Sequence, residues 1–342
     1  MLIYVLSTLE IGIDSINILI KHLDIRGIIG LSERNPNDSV SGYRYLKPYC
    51  EENNLEFIEV SSYSLSSQSD KEKLLELDID ILIVFGWQRI IPSWLIEHTR
   101  ICVIGSHGSV RGITSGRGRS PQNWALLLGK NEFHISIFRI DEGIDSGPII
   151  DTKSFVVSNL DDIKTTYYKV GWLTSHMIIS NIRNGKVLSN NNIKQEGEAK
   201  YLPQRLPEDG EIDWSRTSYE LYDFIRALTK PYPGAFSFVG TEKVKIWKAR
   251  PIEITENINV FEFGEIVNVY SNRDFLVKTG DSLLLIEDYS ISSNGTELSL
   301  TEGNILSSCD FKKQVSNIID RHYHKYPTLT LSDDIMGVVG NK

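Results

Sequence analysis

IDILIVFGWQRIIPSWLIEHTRICVIGSHGS, residues 79–109, decides the fold. It opens with the apolar run IDILIVFG (79–86) and closes on a second, ICVIGS (101–106). Neither run alternates apolar with polar residues, as a half-exposed strand would. Continuous apolar runs of this length fit strands covered on both faces, the habit of parallel sheets. Pro92 between them suits the opening of a helix, where a missing N–H costs nothing. Strand, helix, strand is the repeating unit of an α/β fold.

Working outward, the same rhythm continues. LIYVLS (2–7), IRGIIGL (25–31) and LEFIEV (55–60) read as further strands. Residues 12–23 carry Ile13, Ile16, Leu19 and Ile20 on one helical face, and 42–52 and 69–77 read as helices. Downstream, strands are expected over 134–140 and 148–157, either side of a tight turn, DEGIDSGP (141–148). A long amphipathic helix follows over 161–185, with Asp161 and Asp162 suited to its first turn. The expectation is an α/β domain with a mostly parallel sheet. Its ligands should lie beyond the carboxyl ends of the strands, so the loops after Phe85 and Ile104 matter most. No GxGxxG or GxxxxGK[ST] motif follows the first strand, which disfavours dinucleotide and P-loop binding.

The second half changes character. Residues 186–213 are polar and rich in Pro, Gly and Asn, and read as a linker. A helix is expected over 218–228. FSFVG, KVKIWKARPIE, GEIVNVYS, DFLVKTG and SLLLIEDYS then read as the short strands of a small β-barrel. From 303 onward no pattern is clear, and the last residues are expected to be mobile. The expected boundaries are 1–190, a linker at 191–213, a second domain at 214–302 and a tail at 303–342.

Composition narrows the function. The formal net charge is -9, which disfavours nucleic acid as the main partner and docking on anionic membranes. Cys50, Cys102 and Cys309 are far apart and form no CxxC pair, so reduced thiols are expected and a zinc site is not. His322 and His324 alone do not suggest a metal. No basic signal segment and no apolar run of about 18 residues appears, so a cytoplasmic protein without membrane spans is expected. Asn37-Asp38-Ser39 and Asn294-Gly295-Thr296 match the glycosylation pattern by chance in that setting. Trp124 and Trp172 are expected in the core.

Two residues stand out chemically. His107 follows an apolar strand among small residues, in GSHGS, and Asp145 sits in the Gly-rich turn. A carboxylate can orient an imidazole and raise its basicity. Spacing alone leaves a second account open, in which the two residues merely shape turns.

The motifs HGS, GRGRSPQNWALLLGK and DEGIDSGPII, in that order, resemble the core of the 10-formyltetrahydrofolate-dependent formyltransferases. RLPEDGEIDW (205–214) and IRALTKPYPGAFSFVG (225–240) resemble the linker and carboxyl-terminal domain of that family. The resemblance implies a Rossmann-like catalytic domain followed by a small OB-like barrel. It implies 10-formyltetrahydrofolate as formyl donor and His107 with Asp145 as catalytic residues. The donor would lie against Phe85, Gly86, Trp87, Gln88, Arg89, Ile90 and Ile91, closed by the main chain of Asp141, Glu142 and Gly143. Ser109, Arg117 and Arg119 would meet the acceptor.

The chain departs from the family where an asparagine usually stands two residues before the histidine. Here that residue is Gly105, so Ser106, Gln122, Asn123 or a backbone amide is expected to serve the oxyanion. Such a donor is worth about 100- to 1000-fold in rate. The spacer SVRGITSGRGRS is also longer than usual. HGS, RGRxPxNW and PGAFSxVG most resemble enzymes that formylate nucleotide-linked amino sugars, so a nucleotide sugar is the expected acceptor. Initiator methionyl-tRNA is the alternative acceptor. A formyltetrahydrofolate hydrolase and a folate-binding pseudoenzyme are the rivals from other classes. Oligomeric state stays open.

Overall fold

The computed structural model describes residues 1–33, 40, 42–189, 192–255, 258–292 and 299–340. Both glycosylation-like triplets and the last two residues lie outside these. In the first half the elements run β1 (Ile3–Leu6), α1 (Glu10–Ile20), β2 (Ile25–Leu31), α2 (Lys47–Glu52), β3 (Glu56–Val60) and α3 (Gln68–Leu75). Next come β4 (Ile81–Val84), α4 (Ser93–His98), β5 (Cys102–Ser109), β6 (Arg117–Gly118) and α5 (Pro121–Leu127). They continue with β7 (Glu132–Arg139), β8 (Ile149–Val156), α6 (Ile163–Arg183) and β9 (Tyr201–Leu202). The remainder is α7 (Ser218–Leu228), β10 (Ala235–Val239), β11 (Glu242–Ile252), β12 (Ile266–Val269), β13 (Phe275–Lys278), β14 (Leu283–Ser292), α8 (Phe311–Lys325) and α9 (Asp333–Val339).

The chain forms two compact units that are not sequential blocks. One holds Met1–Arg117, His134–Phe155 and Tyr167–Glu198; the other holds Gly118–Phe133, Val156–Thr166 and Ala199–Lys342. The sequence suggested a single crossing near residue 190. The interleaving follows from α5, a helix in the midst of the first half that belongs to the second unit and is buried from Gln122 to Leu127.

In the first unit a seven-stranded sheet has the order β3-β2-β1-β4-β5-β7-β8. Pairs from β3 through β5 are parallel, and β7 runs antiparallel to β5. Val5, Leu6, Ile28, Ile29, Ile81, Leu82, Ile83 and Ile104 are fully buried, as covered parallel strands require. Strand order reverses between β1 and β4, which opens a crevice at their carboxyl ends. Phe85 donates its amide to the Leu6 carbonyl there (3.0 Å), so the loop after β4 starts against the end of β1.

In the second unit five antiparallel strands take the order β10-β11-β14-β13-β12. α7 opens with a reciprocal cap: Glu220 donates its amide to Thr217 Oγ1 (3.3 Å), and Thr217 donates its own to Glu220 Oε2 (3.0 Å). Its buried Leu221, Phe224, Ile225 and Leu228 recur at helical spacing. The segment read as a linker is packed: Arg205, Asp209 and Ile212 are buried. The tail is not patternless either. It forms α8, which buries Phe311, Val315, Ile318 and Ile319, and α9, whose Asp333 and Asp334 pair with Lys200 and Lys130.

No helix among the described residues is long and apolar enough to cross a membrane. The three cysteines are unbridged, and burial pushes the thiols of Cys50 and Cys309 up to about 12. Trp124 is in the core, but Trp172 stands 55% exposed on α6, stacked on His176 at 4.0 Å.

Candidate active site

β5 runs on past Ile104 and carries His107 inside its ladder, opposite Ser136 of β7. Side chains of a strand alternate between faces. Gly105, His107 and Ser109 therefore share one face, with Phe138, Ser136 and His134 beside them. Ser136 is buried and its hydroxyl pairs with that of Thr152 on β8 (2.8 Å), so the row next to His107 is polar. Sequence reasoning missed Ser136 and Thr152. The alternation of EFHISIFR across from β5 was the available signal.

The turn after β7 brings Asp145 to His107. Asp145 adopts φ 49°, the left-handed conformation that aspartate tolerates better than most residues. Gly147 has no alternative, because a Cβ there would lie 1.7 Å from the Arg139 carbonyl oxygen. Asp141 ties the turn by accepting from the Gly143 amide (3.1 Å) and the Ser146 hydroxyl (2.6 Å). Asp145 Oδ2 stands 3.4 Å from His107 Nδ1, with side chains 23% and 10% exposed respectively. On the other side of the ring, Nε2 is 2.7 Å from the Gly116 carbonyl oxygen. A carbonyl only accepts, so Nε2 carries a proton. The imidazole is held at both nitrogens, and a second proton at Nδ1 meets a carboxylate.

The loop after β4 divides into buried and exposed halves. Phe85, Trp87 and Ile91 are buried, while Gln88, Arg89 and Ile90 face solvent. Gly86 has φ 60°, and a Cβ on it would press on Leu9 Cβ at 3.1 Å. Trp87 packs edge-on against Tyr63 at 4.9 Å, and the Arg89 guanidinium covers the same ring at 4.7 Å. The Trp87 Nε1–H, the Ser7 hydroxyl and the Thr8 hydroxyl are buried without a hydrogen-bond partner among the described residues, all at the carboxyl ends of β1 and β4. Unsatisfied polar groups inside an apolar wall suit a flat heterocycle that brings its own donors and acceptors. Glu142 and Gly143 are exposed in the opposite loop, and Ile140, just before it, packs on the cluster that holds Trp87 and Ile91.

Other expected site residues are placed differently. Ser106 points to the face of β5 opposite His107, because strand alternation separates neighbours. Asn123 is wholly buried on α5 and donates its amide to the Ala227 carbonyl (2.6 Å). Gln122 accepts from Thr166 (3.0 Å). Gln122 and Asn123 are thus committed to partners within the second unit. Ser109 is only 2% exposed and gives its hydroxyl to Gly112 (2.5 Å), so it closes the loop rather than facing a ligand. Arg117 donates to Gln195 Oε1 (2.7 Å), while Arg119 is exposed and makes no side-chain bond among the described residues. Gln195 itself was missed. His322 is bonded to the Leu329 carbonyl within the tail (2.9 Å).

Comparison with known proteins bears on this geometry. The formyl transferase family matches residues 40–182, and the formyl transferase C-terminal domain matches residues 206–299. The methionyl-tRNA formyltransferase of Caldanaerobacter subterraneus subsp. tengcongensis is 27% identical over 248 residues, covering 72% of this chain and 73% of its own. Among solved structures, an N-formyltransferase from Helicobacter canadensis in complex with folinic acid and dTDP-3-aminofucose superimposes with TM-score 0.57 at 19% identity. That match covers 85% of this chain and 100% of the other. HypX from Aquifex aeolicus in complex with tetrahydrofolic acid gives TM-score 0.57 at 18% identity, covering 84% of this chain but only 43% of that one.

A mostly parallel α/β sheet followed in the chain by a separate antiparallel one is consistent with the formyltransferase fold. The chain belongs to the formyltransferase family. It is a formyl-transferring enzyme, and the formyl donor of the family is formyltetrahydrofolate.

Proposed function

We propose that the protein transfers the formyl group of 10-formyltetrahydrofolate to the amine of a nucleotide-linked amino sugar. The observation that carries the chemistry is the imidazole of His107 held between Asp145 and the Gly116 carbonyl. An amine that attacks a formyl carbon must shed a proton. The His107–Asp145 pair has a place for it between Nδ1 and Oδ2, and the same proton passes to the folate nitrogen as the bond from that nitrogen to the formyl carbon breaks; acid–base action of this kind is worth about 100- to 10,000-fold. The proton on Nε2 stays with Gly116 or turns toward negative charge developing on the formyl oxygen. Donor binding supplies the formyl group itself. Phe85, Trp87 and Ile91 would wall the ring system, with the unsatisfied Trp87 Nε1–H, Ser7 and Thr8 available to it and the main chain of Asp141, Glu142 and Gly143 closing over it.

Support for the acceptor comes from Arg117, whose loop adjoins His107, and from Arg119, exposed two residues on. Arginine forks suit diphosphate oxygens. The net charge of -9 weighs against an acceptor held through many phosphates. Initiator methionyl-tRNA is the second reading, favoured by the 27% identity to a methionyl-tRNA formyltransferase.

The test is a panel of nucleotide-linked amino sugars incubated with 10-formyltetrahydrofolate and read by the mass gained on formylation. His107→Ala is expected to lower kcat by about 100- to 10,000-fold with the fold retained. An undiminished rate in that variant overturns the catalytic assignment. Faster transfer to initiator methionyl-tRNA than to any sugar overturns the acceptor. Formate release without any amine points to the hydrolase.

A further inference from the structure

Gln195 lies in a stretch that reads as a polar connector, yet its amide is fully committed. Ile193 exchanges two backbone hydrogen bonds with Ile149 (2.8 and 2.9 Å), which lays this stretch along the start of β8. Two residues later, Gln195 Nε2 donates to the carbonyls of Asp145 and Gly147, each at 2.8 Å. Its Oε1 accepts from Arg117 Nη2 at 2.7 Å and from Thr114 Oγ1 at 3.2 Å. A carboxamide has two N–H donors and two oxygen lone pairs, and all four are used. The orientation is unambiguous, since carbonyls only accept and a guanidinium only donates.

The two segments joined by this amide are the two that flank the His107 ring. Asp145 faces Nδ1, and Gly116, the neighbour of Arg117, faces Nε2. We propose that Gln195 is a positioning residue: it clamps the aspartate turn to the arginine loop and so sets both partners of His107 at once. The clamp also links the ring to Arg117, so an anionic group engaging Arg117 acts on the same hydrogen-bond chain that orients the imidazole. This rests on the proposed role of His107 and Asp145. Main-chain partners matter here, because Asp145 is held at φ 49°, and a turn of this kind needs bonds to its carbonyls to persist.

Two variants test it. Gln195→Met keeps the size and loses all four bonds. Gln195→Glu keeps an acceptor toward Arg117 but sets an oxygen against the carbonyls of Asp145 and Gly147. Both are expected to lower kcat by roughly 10- to 100-fold, the scale of small misplacements of reacting groups, while KM for 10-formyltetrahydrofolate stays at the parent value. The readout that a merely structural role would not move is the imidazole nitrogen resonance pattern of His107. In the parent it shows a protonated, bonded Nε2, and in both variants a mixture of tautomers. Parent-like kcat in Gln195→Met overturns the clamp. So does a fall in kcat with an unchanged His107 spectrum. Full activity in His107→Ala, by contrast, removes the catalytic reading itself and not only the clamp built on it.

Discussion

Position 105 is more than a missing asparagine. A Cβ on Gly105 would lie 2.9 Å from Ile140 Cγ1, 3.0 Å from Ile140 Cδ1 and 3.1 Å from Phe138 Cζ. Apolar side chains occupy the space into which an amide would reach. Gly105→Asn is therefore expected to destabilise the fold by about 1–3 kcal/mol through overpacking, with no gain in rate. Adding Ile140→Ala makes room. The double variant should regain stability over the single one and raise kcat about tenfold or more, if its amide reaches the developing oxyanion. Thermal melts and single-turnover rates decide this, and a fully stable Gly105→Asn protein would show that Ile140 is no obstacle. The same strand explains where sequence reasoning about donors went astray. ICVIGS looked finished at residue 106, whereas the ladder runs to Ser109. Once His107 lies inside a strand, Ser106 must point the other way. His107 and Asp145 were legible because motif order carried them. Gln195 was not, since a lone glutamine beside glycine and glutamate has no pattern of its own and gains meaning only through the Ile149–Ile193 bridge.

Among elements, legibility followed burial. β2 and β4 announced themselves because both faces are covered and nearly every residue is apolar. α7 did so because one face is covered and the period of 3.6 shows. α5 gave no such signal, since PQNWALL is buried almost all round and a helix without a wet face has no periodicity. α8 failed for the opposite reason. FKKQVSNIIDRHYHK is largely polar, and its buried stripe of Phe311, Val315, Ile318, Ile319 and His322 is narrow. Yet α8 holds part of the second unit together. Arg321 reaches the buried carboxylate of Asp209 with two bonds of 2.8 and 2.6 Å. Asp209 in turn accepts from the Leu206 amide (2.7 Å), and its main-chain carbonyl accepts from Arg205. Burial between the Trp124 and Phe224 rings pulls the Arg205 guanidinium down to about 10, with Asp209 opposing the shift. Arg321→Ala strands the Asp209 carboxylate with fewer donors. A loss of about 2 kcal/mol is expected, the order of a buried charged acceptor left short of a partner, and denaturant unfolding measures it. An unchanged midpoint would mean that solvent or Arg205 replaces Arg321 without cost.

At the scale of the whole molecule, charge separates the two acceptors that the family leaves open. A net charge of -9 works against gathering a polyanion from a distance. A nucleotide diphosphate needs only short-range contacts from one or two arginines. It displaces few counterions, so its binding depends weakly on salt. A tRNA acceptor held through six or more phosphates would lose about 1000-fold in affinity between about 50 and 200 mM salt. Over the same range, KM for a nucleotide-linked amino sugar is expected to rise less than about tenfold, the weak dependence of a ligand with few phosphate contacts, with kcat unchanged. Arg117→Gln and Arg119→Gln should each raise that KM and flatten the remaining salt dependence, because each removes one cation from the phosphate contact. Steady-state kinetics at several ionic strengths carry the measurement. A slope as steep as that of a polyanion, surviving in both arginine variants, would place the acceptor on a different and more basic surface and return tRNA to first place.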